Sequence, residues 1–130
     1  GSVDEEVDLS GSKIVSLQGA VFGSAFDINS INGTAVKLPG TVGYFAENVW
    51  SYCSGPLGKL TIGSTTDPVT DGFTLPATQI SLQNDGFNWT SAQIYVTAAG
   101  RNALFTAYTD EATIAQKLGV SADALTLTTV

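Results

Sequence analysis

Short segments rich in β-branched and aromatic residues recur along this chain, each closed by a cluster of Gly, Pro, Asn or Asp, and this recurrence limits the folds open to it. From Lys13, "KIVSLQGAVFGSAFDI" alternates Ile14, Ser16 and Gln18 against Val15, Leu17 and Gly19 and runs on through Val21, Phe22 and Phe26, which fits a bulged or bent strand better than a helix. A turn, "NSING", follows. Two further segments, Thr34 to Leu38 and Thr41 to Cys53, are separated by Pro39-Gly40, a dipeptide suited to a type II turn. "KLTIGS", "FTLPATQISL", "WTSAQIYVTA" and "ALFTAYT" continue the series, with Pro76 marking an edge or bulge. About seven short strands at intervals of roughly 8 to 14 residues are expected to form an all-β fold, a β-sandwich or compact barrel. No internal repeat is evident.

Only the end of the chain changes period. Thr109 or Asp110 can cap a helix whose Ile114, Ala115 and Leu118 share one face, and Gly119 is a natural stop after two or three turns. "ALTLTTV" then returns to alternation. The expectation is therefore one short C-terminal helix covering an open end of the sheet, with the last strand joining the core.

The stretch from Thr113 to Leu125 resembles the centre of a helix-turn-helix, with Ile114, Ala115, Leu118, Gly119, Val120, Ser121 and Leu125 at the positions that motif fills with apolar residues, Ala, Gly and a cap. DNA recognition is what that resemblance implies, but the residues oppose it. The recognition helix would present Ala122, Asp123 and Ala124 where phosphates and guanine edges call for Arg or Lys, and would continue into Thr126 to Val130, poor helix formers. With the preceding "AYTDEA", the same stretch also resembles the middle of a LysM module, a family that implies recognition of N-acetylglucosamine polymers. The further dozen residues and closing strand of such a module would have to follow Val130.

Composition narrows the chemistry. The 130 residues make one domain's worth of chain, 43% hydrophobic but only 13% charged, against about 25% charged in an ordinary globular domain. With no His, a Ser-His-Asp triad, Cys-His catalysis and His-ligated metals are excluded by inventory. The single cysteine, Cys53, has no internal partner and is read as a small buried hydrophobe or, failing that, as a bridge between chains. Five Lys plus Arg face twelve Asp plus Glu, a net charge of −7, which disfavours nucleic acid and anionic membrane surfaces. No apolar run approaches the length of a membrane-spanning helix, so no membrane insertion is expected.

Asp4, Glu5, Glu6 and Asp8 concentrate charge at the N-terminus. Residues 1–12, "GSVDEEVDLSGS", are expected to be a flexible acidic arm ahead of a single β-rich domain at 13–130, Gly1-Ser2 being a tag scar or the remnant of a removed leader. In an extended arm Val3, Val7 and Leu9 can enter apolar pockets of a neighbouring copy by strand addition.

The other candidate residues are less specific. Asp67, Asp71, Asn84, Asp85 and Asn88 lie in Gly-containing turns of the kind that hold Ca²⁺, but ordinary turn chemistry accounts for them and no metal is expected. Asn32-Gly33-Thr34 and Asn88-Trp89-Thr90 fit the glycosylation pattern and mark surface loops. Trp50, Tyr52 and Trp89 are candidate stacking faces for sugar rings, Trp89 being the one expected to be partly exposed. These readings converge on a non-enzymatic structural subunit, without cofactor, of a virion (capsid decoration or tail type) or extracellular filament, located outside the cell or on the virion surface. Its partners would be copies of itself or a capsid or filament lattice. The alternative is a carbohydrate-binding or adhesive β-sandwich module whose partners are glycans.

Overall fold

The computed structural model of the chain describes residues 6–18, 35–47, 49, 57–77 and 89–130. Among the described residues, seven strands and two helices follow one another as β1 (Glu6–Asp8), β2 (Ser16–Leu17), β3 (Ala35–Leu38), β4 (Tyr44–Phe45), β5 (Leu57–Ile62), β6 (Trp89–Val96), α1 (Ala98–Ala107), α2 (Glu111–Leu118) and β7 (Leu125–Thr129). A 3-10 turn, Ala122–Ala124, precedes β7. One sheet has the order β1-β3-β5-β6-β7 and a smaller one pairs β2 with β4. Every strand pair among the described residues is parallel.

This arrangement corrects the all-β sandwich or compact barrel expected from the sequence: the strands form parallel sheets and two helices join them, an α/β-like mixed arrangement. Parallel neighbours cannot be joined by a tight hairpin and need a crossover of a dozen or more residues. Here each crossover carries structure of its own. The first contains β2, the second β4, and the third places Thr74 beside Tyr44 in an isolated parallel bridge, so a second ladder grows alongside the first. The fourth crossover is made by α1 and α2 instead. Strand order in the main sheet thus follows chain order, and the chain advances by successive coils, each resting on the one before.

The core lies between the ladders. Val7, Val36, Leu60, Ala92 and Leu125 stand at one register level, and Leu38, Ile62, Ile94 and Leu127 at another. Of these nine, Val36, Leu38, Leu60, Ile62, Ala92, Ile94 and Leu125 are buried, while Val7 and Leu127, on the two edge strands, are half-buried and pack against the core. The crossovers supply Leu17, Val42, Phe45, Val69, Phe73 and Leu75 from the other side. Each such aliphatic or aromatic side chain removed from water contributes about 1.5–3 kcal/mol before entropy is counted.

The C-terminal helix is where the sequence placed it. The Asp110 carboxylate accepts from the Thr113 N–H (2.9 Å) and hydroxyl (2.8 Å), which holds its pKa below the ordinary aspartate value. Ile114, Ala115 and Leu118 are buried, and Gly119 ends the helix in the left-handed region at φ 86°. The second helix that a helix-turn-helix needs is absent here: Ser121 leads into one 3-10 turn and then β7.

A second helix, α1, stands where "ALFTAYT" suggested a strand. Thr97 caps it by accepting from the Gly100 N–H (3.0 Å), Leu104 is buried one turn after Gly100, and the Tyr108 hydroxyl beyond its end accepts from the Leu75 N–H (2.6 Å). Capping and the buried face outweigh the strand preference of Phe105, Thr106 and Tyr108.

The N-terminal segment also departs from expectation. Glu6–Asp8 forms an edge strand on Ala35–Leu38 of its own chain, and the Leu9 N–H donates to the Lys37 carbonyl (2.8 Å). Val7 and Leu9 pack against the core of their own chain, so in the single chain these residues already have a place. Val3 lies outside the described residues.

Candidate functional site

Because successive side chains of a strand point to opposite faces, the side chains that alternate with the core form the outward face of the main sheet. Asp8, Lys37, Thr61, Gln93 and Thr126 stand side by side at one register level across all five strands, Lys59 and Ser91 pair at the level two residues earlier, and Tyr95 pairs with Thr128 at the level two residues later. These levels are mostly polar, and Ala35, beside Glu6 on the same face, is an apolar exception. Gln93 ties two strands together through an Nε2 donation to the Thr128 hydroxyl (2.8 Å).

A groove of about 420 Å³ opens on this face. Lys37 and Lys59 supply its cations, Ser10, Thr61, Ser64 and Thr65 its hydroxyls, and Tyr95 its aromatic ring, with Glu6 at the rim. The wall beyond β5 is a tight loop in which the Ser64 N–H donates to the Asp67 carbonyl (3.1 Å) and the Asp67 N–H to the Ser64 hydroxyl (2.9 Å). Near the opposite edge the Asp8 carboxylate accepts from the Ser10 hydroxyl (2.5 Å) and N–H (2.9 Å), which lowers its pKa and fixes Ser10 at the groove.

Charge is unevenly placed for a chain of net charge −7. The Lys37 ammonium lies 3.7 Å from the Glu6 carboxylate, both about half exposed, a geometry that contributes little stability. Lys59 is exposed and makes no ion pair with any described residue. Arg101 and Lys117 are occupied elsewhere: Arg101 stacks over Phe105 (4.9 Å) and pairs with Glu111 (3.6 Å), and Lys117 donates to the Pro76 and Ala77 carbonyls (2.8 and 2.6 Å). Glu6 is the single carboxylate among the described lining residues. No carboxylate pair of the kind used in glycoside hydrolysis stands among the described lining residues, whose groups are suited to holding a ligand by charge and hydrogen bonds.

The residues singled out in the sequence do not assemble here. Trp89, expected to be partly exposed, is only 3% exposed at the first position of β6, so it is a core residue and offers no sugar-stacking face. Trp50, Tyr52 and Cys53 lie outside the described residues, as do Asn32, Asn84, Asp85 and Asn88. The Asp67 carboxylate ties its turn to the one at Pro39-Gly40, accepting from the Gly40 N–H (3.1 Å), and no group of three or more His, Cys, Asp or Glu able to hold a metal ion occurs among the described residues.

The groove lysines were not anticipated. The signal that could have found them is the recurrence of Lys-Leu before a closing glycine, in "VKLPG" and "GKLTIG", which puts two of only five basic residues on neighbouring parallel strands. Compared with known proteins, the chain matches no family model, no curated protein and no solved structure.

Proposed function

We propose that this chain is a non-enzymatic recognition domain of adhesive type, acting outside the cell or on a virion surface, and that its ligand lies across the strands on the outward face of the parallel sheet. The observation that carries this reading is the gathering of Lys37, Lys59, four hydroxyls and Tyr95 in one groove on a face that the core does not use. Stacked-coil proteins use extended sheet faces in this way, a fold-level analogy that adds to the argument from the side chains. Titrating the isotope-labelled domain with soluble neutral and acidic polysaccharides is expected to shift the amide signals of Lys37, Thr61 and Tyr95, and Tyr95→Ala should abolish the shifts while leaving the fold intact. Shifts confined to the second ladder around Tyr44 would refute this placement.

A specific feature favours a second reading, a self-associating structural subunit of a virion or extracellular filament. The main sheet ends in two parallel edges, β1 and β7, and half-buried Val7 and Leu9 stand at one end and Leu127 at the other. Pairing β7 of one copy with β1 of the next would continue the ladder head to tail, a contact that does not close and so builds filaments. Such a chain should sediment as concentration-dependent oligomers that Leu127→Lys disperses; a monomer at every concentration would reject this reading.

A further inference from the structure

We infer that the groove takes a carboxylate-bearing polysaccharide, with Lys59 as its principal charge contact; this rests on the recognition reading above and names its ligand class. Charge complementarity comes first. Two of the five basic residues of an acidic chain converge here, and only Lys37 shares its charge with a described carboxylate. The body's net negative charge is screened beyond roughly 8 Å at physiological ionic strength, so the local lysines decide whether an anion is accepted.

Geometry favours more than one carboxylate. Lys37 and Lys59 occupy adjacent parallel strands one outward level apart, since Lys37 pairs with Thr61 and Lys59 precedes Thr61 by two residues. Strand spacing and rise put their backbones roughly 8 Å apart on the diagonal. A ligand with repeated acidic groups can address both. The remaining lining chooses between polymer classes. Thr61, Thr65 and Tyr95 offer hydroxyls that both donate and accept, as vicinal sugar hydroxyls require, Ser10, whose proton goes to Asp8, adds an acceptor, and the Tyr95 ring offers a flat face. A protein or peptide partner is held mainly through buried apolar anchors, and apart from Ala35 and the Tyr95 ring the described lining provides no pocket for them.

Glu6 gives the inference a sign test. Its carboxylate competes for Lys37 and repels an incoming anion, so removing its charge should tighten binding whereas removing that of Lys59 should weaken it. The probes are an oligogalacturonate, the same oligomer methyl-esterified so that only the charge is lost, and polyglutamate, each titrated into the labelled domain with affinity and groove amide shifts read together. The oligogalacturonate is expected to bind in the groove and to weaken with salt. Lys59→Gln should reduce its affinity roughly three- to tenfold, Lys59→Arg should restore most of it, and Glu6→Gln should raise it about two- to fivefold. Unchanged melting temperatures separate these effects from folding. Equal binding of the methyl ester in the groove would overturn the acidic-ligand inference and leave the recognition reading standing. Equal binding of polyglutamate would overturn it as unspecific charge attraction. Absence of groove shifts with all three probes would overturn it together with the use of this face for glycans.

Discussion

Replacing Phe45 with alanine is expected to destabilise the domain by about 3–5 kcal/mol, a large share of the 5–15 kcal/mol typical of a chain this size. Phe45 is fully buried on β4, and its ring meets Phe73 of the next coil edge-on, with centroids 5.5 Å apart and planes at 71°. Its N–H donates to the Thr74 carbonyl (3.0 Å), and the Thr74 N–H donates in turn to Gly43 (2.9 Å). The side chain therefore sits where one coil rests on the next, and the backbone bonds on either side hold the gap open instead of letting it collapse. Phe45→Leu should cost much less, since it retains most of the volume. Urea denaturation of the three proteins measures both differences; a loss below about 1 kcal/mol for Phe45→Ala would show that the second ladder is no part of the cooperative core.

Gly40→Ala is the other large effect expected, and it arises from crowding rather than from a cavity. A methyl group at Gly40 would collide with the Asp67 carbonyl and come within 2.6–2.7 Å of the carbonyl group of Pro68, all backbone atoms that cannot swing aside. The Gly40 N–H also donates to the Asp67 carboxylate, so the two turns are locked together at the site of the collision. A loss of about 1–3 kcal/mol or more is expected, against almost none for Gly11→Ala, where a methyl would meet nothing within 4 Å. Similar melting temperatures for the two variants would contradict the close approach.

These residues show what the sequence could reveal. The segments at β3, β5, β6 and β7 were legible because alternation in "TAVKL", "KLTIG", "WTSAQIYV" and "ALTLTT" reports a sheet with one face buried. The direction of pairing was not. Parallel sheets are ordinarily covered on both faces and then read as continuous apolar runs, whereas the polar outward face here, with Lys37, Thr61 and Gln93, imitates the pattern of an antiparallel sheet. The repeat was hidden for a related reason: from Val7 to Val36, Leu60, Ala92 and Leu125 the coils advance by unequal steps of about 24 to 33 residues, so no fixed period exists to detect. Pro39-Gly40 was read for its turn preference, yet the glycine is required by what passes beside it, a contact between residues far apart in sequence. Trp89 shows the same limit, since proximity to a turn says nothing of what covers a side chain. The candidate groove depends on register between strands, and register follows from the parallel pairing that the alternation concealed.

The agreement of strand order with chain order bears on how this domain can change length. In a fold whose neighbouring strands are distant in sequence, an insertion displaces partners that must meet; here every ladder pair is formed by consecutive passes of the chain, and a crossover can lengthen outward without altering the register on either side. The coils already differ in length, and one of them holds two helices, while the strand order stays that of the chain. Segments grafted into the crossovers should therefore be carried without disturbing the outward sheet face, so the domain can gain new loops while its groove stays as it is.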